Sequence, residues 1–169
     1  MVRRILVLGG YGTFGARAAE RLAREDGIEL VIAGRSLAAA EAYAAVLART
    51  ARARVTPARL DASALTAQEL VTLRPDVLIN ASGPYQAQGY GVARACIEAG
   101  VHYIDLADAR AFVTGISALN NDAERAGVLV VGGASTVPAP PTTRTPARSA
   151  SPFNAEMPIT KARASARSM

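Results

Sequence analysis

Gly10, Gly12 and Gly15 stand in the spacing G-x-G-x-x-G, directly after the apolar run Ile5-Leu6-Val7-Leu8 and at the start of a helical sequence. Each glycine has a separate task in a dinucleotide-binding turn. Gly10 permits the tight bend, Gly12 lets the backbone approach a pyrophosphate, and Gly15 lets the helix pack on the strand. The helix that follows offers unpaired N–H groups and a partial positive charge to the same anion. Gly9, Thr13 and Phe14 belong to the same expected binding turn. The competing reading is a glycine turn with only a structural role; the strand before it and the helix after it favour the nucleotide.

A second signal ends the apolar run Ile28–Ala33. A carboxylate there would bond a ribose 2′-hydroxyl and repel a 2′-phosphate. This chain instead has Ala33-Gly34-Arg35-Ser36. Arg35 can hold a phosphate bidentately and Ser36 can donate a hydroxyl bond, so NADP is the expected cofactor, with NAD possible. The alternative makes Arg35 a solvated loop cation and Ser36 the N-cap of a helix from Leu37. Asp61 either lies near the adenine or caps the next helix, and capping is the first expectation. In Asn80-Ala81-Ser82-Gly83-Pro84-Tyr85, the small residues Ala81, Ser82 and Gly83 allow close approach of a ligand at the topological switch point. Tyr85 is expected either on the nicotinamide side of the cleft or as a buried structural residue. His102, the single histidine, falls at the start of a strand, opposite the ligand crevice, which argues against catalysis. Asp105, nearer that strand's C-terminal end, is the better site candidate. No general acid or base can be assigned, and no metal site is expected.

These residues need a frame to position them. The apolar runs predict strands over 5–8, 28–33, 54–60, 76–80, 101–106 and 128–131, with Pro57 marking an edge. Helical patterns fill 13–25, 37–50, 63–73, 89–100 and 111–126, and in the first of them Phe14, Ala18 and Leu22 are expected to face the sheet. Strands alternating with helices specify an α/β fold, a doubly wound parallel sheet of Rossmann-like type.

The chain has 169 residues, half of them hydrophobic. That length suits one domain with a tail, divided as 1–139 and 140–169. No apolar run approaches the roughly 20 residues of a membrane span, and the first one stops at Gly9, short of a signal-peptide core. A soluble, cytoplasmic protein is expected, consistent with the single Cys96 in a helix core. Residues 1–138 carry 14 Arg against 13 Asp or Glu, so the net charge of +5 belongs mainly to the tail and argues against a specific nucleic-acid interface. The tail, rich in Pro, Ser, Thr, Arg and Ala without apolar periodicity, reads as disordered.

Gly9-Gly10-Tyr11-Gly12-Thr13-Phe14-Gly15, Ala33-Gly34-Arg35, Asn80 to Tyr85, His102-Tyr103-Ile104-Asp105 and Ala134-Ser135-Thr136-Val137-Pro138 together resemble the NADP-binding domain of saccharopine-dehydrogenase-like oxidoreductases, over about residues 3–139. The resemblance implies a Rossmann domain that binds NAD or NADP. It also implies a second α/β domain after the Ser-Thr-x-Pro stretch, closing the substrate cleft. The pattern stops after Ala139, which suggests a truncated or frameshifted form of a longer ancestor; a short protein with a disordered tail is the alternative. The expected function is therefore the NADP-binding domain of such an oxidoreductase without its substrate domain. The competing function is a non-catalytic NAD(P)-binding module, a sensor or partner subunit. A short-chain dehydrogenase would need Tyr four residues before Lys, but the only lysine, Lys161, has Met157 there. Substrate and oligomeric state are not legible.

Overall fold

Alternation along the first two strands sets the architecture. In the computed structural model, which describes residues 2–86 and 88–134, β1 is Arg3–Leu8 and β2 is Ile28–Gly34. Leu6 and Leu8 of β1 join Val31 and Ala33 of β2 in one buried cluster, while Val7 joins Leu30 and Ile32 in a second. A sheet apolar on both faces must be covered on both, which requires helices as crossovers. The remaining strands are β3 (Arg54–Arg59), β4 (Val77–Asn80), β5 (His102–Asp105) and β6 (Val130–Val131). They lie in the order β3-β2-β1-β4-β5-β6 with every pairing parallel. This is the expected doubly wound sheet, and its winding reverses between β1 and β4. Pro57 sits on the edge strand β3, where its missing N–H breaks no interior ladder.

The helices are α1 (Thr13–Leu22), α2 (Leu37–Ala48), α3 (Ala67–Leu73), α4 (Gly91–Ala99), α5 (Arg110–Gly115) and α6 (Asn120–Ala126). Helix α1 corrects the expected stripe. Phe14 is 55% exposed, and the face against the sheet is Gly15, Ala19 and Ala23, one residue further along. The cause is steric. The strand–turn–helix junction brings α1 so close to its own turn that only small residues fit beneath it. The predicted helix 111–126 is also two helices, joined by a 3₁₀ turn at Ile116–Leu119. The Tyr90 hydroxyl donates to the Phe112 carbonyl at 3.0 Å, and a Cβ on Gly115 would strike that hydroxyl.

The N-terminal ends of the strands are stapled by Arg4. Its guanidinium pairs with Glu29 at 2.6 Å and donates to the Leu73 carbonyl, while its backbone N–H donates to Asp76. The opposite ends, where the crossover turns begin, are left for the site. The expectations for the tail and for Ser135-Thr136-Val137-Pro138 fall outside the described residues.

Candidate functional site

The turn after β1 is held from behind by β2. The N–H groups of Gly9 and Gly10 both donate to the Ala33 carbonyl, at 2.8 and 3.1 Å, and Gly12 N–H closes back on the Gly9 carbonyl at 2.9 Å. The left-handed residue of the bend is Gly9, with φ +78°, and not Gly10. Gly10 is demanded by space instead, since a Cβ there would sit 2.8 Å from the Val7 carbonyl oxygen. Gly15 has the expected task, because its Cβ would overlap the Gly9 carbonyl group. Gly12 differs from both. A Cβ there meets only the Gly9 oxygen, at 3.2 Å, and otherwise points into open space.

That space is a cleft of about 790 Å³ along the C-terminal edge of the sheet. Gly9, Tyr11 and Gly12 form one wall; Gly34, Arg35 and Leu60 to Ser63 form one end; Ala81 to Pro84 and Gln88 form the other. The N-terminus of α1 opens beside Gly12 with no side-chain cap and no acidic residue in its first turn. By contrast, α2 is capped by Ser36 and α3 by a Thr66–Glu69 capping box. The first N–H groups of α1 thus keep their capacity for an anion. Thr13 and Phe14 are exposed on this first turn, and Gly10 and Gly15 lie buried beneath it.

At the Arg35 end, Ser36 caps α2 by accepting the Ala39 N–H at 3.2 Å, as the alternative reading has it, and remains exposed beside Arg35. Asp61 overturns the first expectation: α3 starts six residues later, at Ala67, and is capped by Thr66. Asp61 accepts the Ser63 N–H at 3.0 Å and the Ser63 hydroxyl at 2.7 Å, folding the loop into a small turn on the cleft wall. Those two bonds, with the nearby charges of Arg35 and Arg59, hold its carboxyl below the usual range. Tyr11 was not foreseen. Its ring lies over Gly34, where a Cβ would come within 2.6 Å of it, and its hydroxyl accepts the Ser36 N–H at 3.0 Å. The aromatic at the x of G-x-G was the available signal.

At the other end, buried Asn80 arranges the loop. Its Oδ1 accepts the Ser82 N–H at 3.1 Å and the Ser82 hydroxyl at 2.5 Å, and its amide donates to Tyr103 at 3.2 Å. Gln88, also unforeseen, donates to the Ser82 carbonyl at 2.9 Å. Tyr85 stands behind this wall. It is 5% exposed, packs on Phe112, and its hydroxyl donates to the Asn80 carbonyl at 2.6 Å. Burial first, then the Asp105 charge, pushes its pKa far up, so it remains a neutral structural donor. Asp105 is fully buried and also lies behind the cleft. One of its oxygens accepts from Ala107 and Gly133, at 3.0 and 2.8 Å, while Oδ2 has no hydrogen-bond partner among the described residues. His102 is placed where the sequence put it, at the far end of β5, its Nδ1 accepting the Leu129 N–H at 3.1 Å. Cys96 is free and fully buried, its thiol pushed up to about 12 by burial.

The site therefore has an anion-ready helix end in the middle, a cation at one end and a floor of small residues at the other. Among the described residues lining it, no histidine, lysine or cysteine appears. Such a surface can bind and orient a dinucleotide; its described carboxylate and phenol, Asp61 and Tyr11, lie on the Arg35 side and not beside Ala81 to Pro84.

Residues 5–131 match the family described as saccharopine dehydrogenase NADP binding domain. Solved structures give the same fold. The chain superposes on apo saccharopine dehydrogenase (L-Glu forming) from Saccharomyces cerevisiae with a TM-score of 0.59 and 22% identity, covering 78% of this chain and 27% of that one. A short-chain dehydrogenase from Sphingobium yanoikuyae, in complex with NADPH, gives 0.59 and 21%, covering 78% and 70%. An NAD binding oxidoreductase from Klebsiella pneumoniae gives 0.53 and 24%, covering 78% and 34%. The chain thus spans about a quarter of the length of the yeast enzyme it resembles. No curated protein sequence matches it.

Proposed function

As a member of the saccharopine dehydrogenase NADP-binding domain family, to which this chain belongs, the protein has NADP as its cofactor, and we propose that it holds NADP in the cleft along the sheet's C-terminal edge. The observation that carries this placement is the uncapped, acid-free N-terminus of α1 opening over Gly12 into the cleft. In this reading the pyrophosphate rests on that helix end and against Gly9, Gly10 and Gly12. Arg35 and Ser36 face the 2′-phosphate, Asp61 lies at the adenine, and Ala81, Ser82 and Gly83 admit the nicotinamide half. Thr13, Phe14 and Gly15 shape the helix start. Tyr85 acts from behind, by fixing the backbone at Asn80.

The nicotinamide, when bound, supplies hydride transfer. This chain's own contribution is binding and orientation. Proton transfer and substrate recognition are assigned to groups outside the described residues, because no evident acid or base lines the described part of the nicotinamide end. A buried, protonated Cys96 fits the reducing cytoplasm as its compartment, and no described helix is long and apolar enough to cross a membrane. The division into a 1–139 nucleotide-binding domain and a 140–169 tail belongs to the same proposal. Trypsin is expected to cut at Arg144 or Arg148 and leave a core that still binds NADPH. A protected tail, or a core that loses the nucleotide, would refute the division.

The cofactor placement is tested by calorimetry with NADPH and NADH. A charge-assisted bond to phosphate is worth about 1.5–3 kcal/mol, so Arg35→Ala is expected to weaken NADPH by about 10- to 100-fold and NADH little. Equal losses for both would make Arg35 a support for its loop. Substrate-dependent consumption of NADPH by the purified chain would assign it catalysis; binding without turnover would favour the module or partner-subunit reading.

A further inference from the structure

We propose that Arg59 and Tyr11 complete a phosphate site around Arg35, so that the cleft selects adenosine carrying a 2′-phosphate through three side chains. This rests on the nucleotide reading above. Arg59 ends β3 opposite Gly34 of β2, which brings it to the loop that carries Arg35. Its Nε donates to the Arg35 carbonyl oxygen at 3.4 Å. That contact ties the root of the guanidinium to the Arg35 loop and leaves the remaining N–H groups for a ligand.

Neither arginine is neutralised by an ion pair. Among the described residues Arg4, Arg52, Arg54 and Arg125 form salt bridges, whereas Arg35 and Arg59 form none. Both are exposed; Arg35 lines this end of the cleft, and Arg59 stands beside the Arg35 loop, next in the chain to the lining residues Leu60 and Asp61. The nearby carboxylate, Asp61, is committed to Ser63. Two like charges beside one carboxylate leave a net positive potential at this end, with neither guanidinium in a salt bridge among the described residues.

Tyr11 supplies a donor of a different kind. Its hydroxyl oxygen takes the Ser36 N–H, so its own proton is free to be given to an acceptor beside Arg35. The ring is held over Gly34, so the hydroxyl is placed before any ligand arrives. A phosphate monoester carries a charge of about −1.5 to −2 and three strong acceptor oxygens. Two guanidinium groups and one hydroxyl answer those needs; a neutral ribose hydroxyl can accept one or two of these bonds but offers no charge for them to match.

The test uses calorimetry on the full chain with NADPH, NADH, 2′,5′-ADP and 5′-AMP. Arg59→Ala is expected to weaken NADPH and 2′,5′-ADP by about 10-fold and to change NADH and 5′-AMP less than about 2-fold. Tyr11→Phe is expected to cost about 3- to 5-fold with the same selectivity. Arg59→Lys should restore part of the loss, since the charge returns without the fork. Circular dichroism checks folding, and Arg59→Gln serves as a second variant if the alanine form is poorly folded. Losses that fall equally on phosphorylated and unphosphorylated ligands, or no loss at all, would overturn this inference and leave the nucleotide reading standing. If the unmodified chain binds none of the four ligands, the nucleotide reading falls and this inference with it.

Discussion

Gly15→Ala is expected to lower the melting temperature by roughly 6–12 °C and to abolish NADPH binding, although Gly15 does not line the cleft. Its added methyl would overlap the Gly9 carbonyl and lie 2.7 Å from the Gly9 carbon. Both neighbours are backbone and cannot rotate away. The Gly9 position is itself fixed, because its N–H is bonded to Ala33 and its own Cβ direction faces the Ala81 carbonyl at 3.0 Å. Relief therefore requires α1 to move off the sheet, which uncovers Ala19 and Ala23. Overpacking of this kind costs about 3 kcal/mol, at the upper end of its usual range. In a chain of this size each kcal/mol shifts the midpoint by about 2–4 °C. A thermal scan within about 2 °C of the parent would show that α1 can slide without cost, contrary to this packing.

Gly12→Val is expected to do the reverse. The fold survives and the nucleotide is lost, by about 100-fold or more in NADPH affinity. Gly12 has φ −79° and ψ 171°, an extended conformation that valine adopts readily. Its Cβ meets only the Gly9 oxygen, at 3.2 Å, a gap that a few tenths of an ångström of movement relieves. Valine is a poorer N-cap than glycine by about 1 kcal/mol, so the melting temperature should fall by only about 2–4 °C. The branched side chain would, however, stand over the first N–H groups of α1, in the space proposed for the pyrophosphate. Tight NADPH binding by a well-folded Gly12→Val protein would remove this turn from the site. Read together, the two variants separate a glycine needed for packing from one needed for approach, which G-x-G-x-x-G spacing alone does not distinguish by experiment.

Much of the site is local and therefore legible along the chain. The apolar run before Gly9, the glycine spacing and Arg35 at the end of β2 concern neighbours within a few residues, and the strand order turned these into one end-to-end cleft. Structure and sequence pattern part company where a rotation or a capping competition is at stake. The face of α1 was displaced by one residue, from Phe14 to Gly15, because hydrophobic size is a guide to burial only where a large side chain fits. Asp61 was expected to cap a helix, but Thr66 and Glu69 bond each other's backbone reciprocally and start α3 later. The helix expected over 111–126 is instead α5 and α6 joined by a 3₁₀ turn at Ile116–Leu119, and beside that break the Tyr90 hydroxyl donates to the Phe112 carbonyl and occupies the space a Gly115 Cβ would need.

The sequence by itself determined the class of fold, the glycine turn between β1 and α1 and the cationic residue that follows β2. All three follow from residue types whose conformational and charge preferences act over a few bonds. The tertiary structure decided which side chains share the cleft. Register placed Arg59 opposite Gly34 and so beside the Arg35 loop; the packing of the first turn laid Tyr11 over Gly34; the pairing of β4 with β5 set Asp105 beside Asn80 behind the wall; and the bond to the Asn80 carbonyl with packing on Phe112 drew Tyr85 there too. Those outcomes depend on how one strand slides past another and how far a helix turns about its axis. A shift of one residue reverses the face of a strand and rotates a helical side chain by about 100°, and that choice is settled by partners distant in the chain.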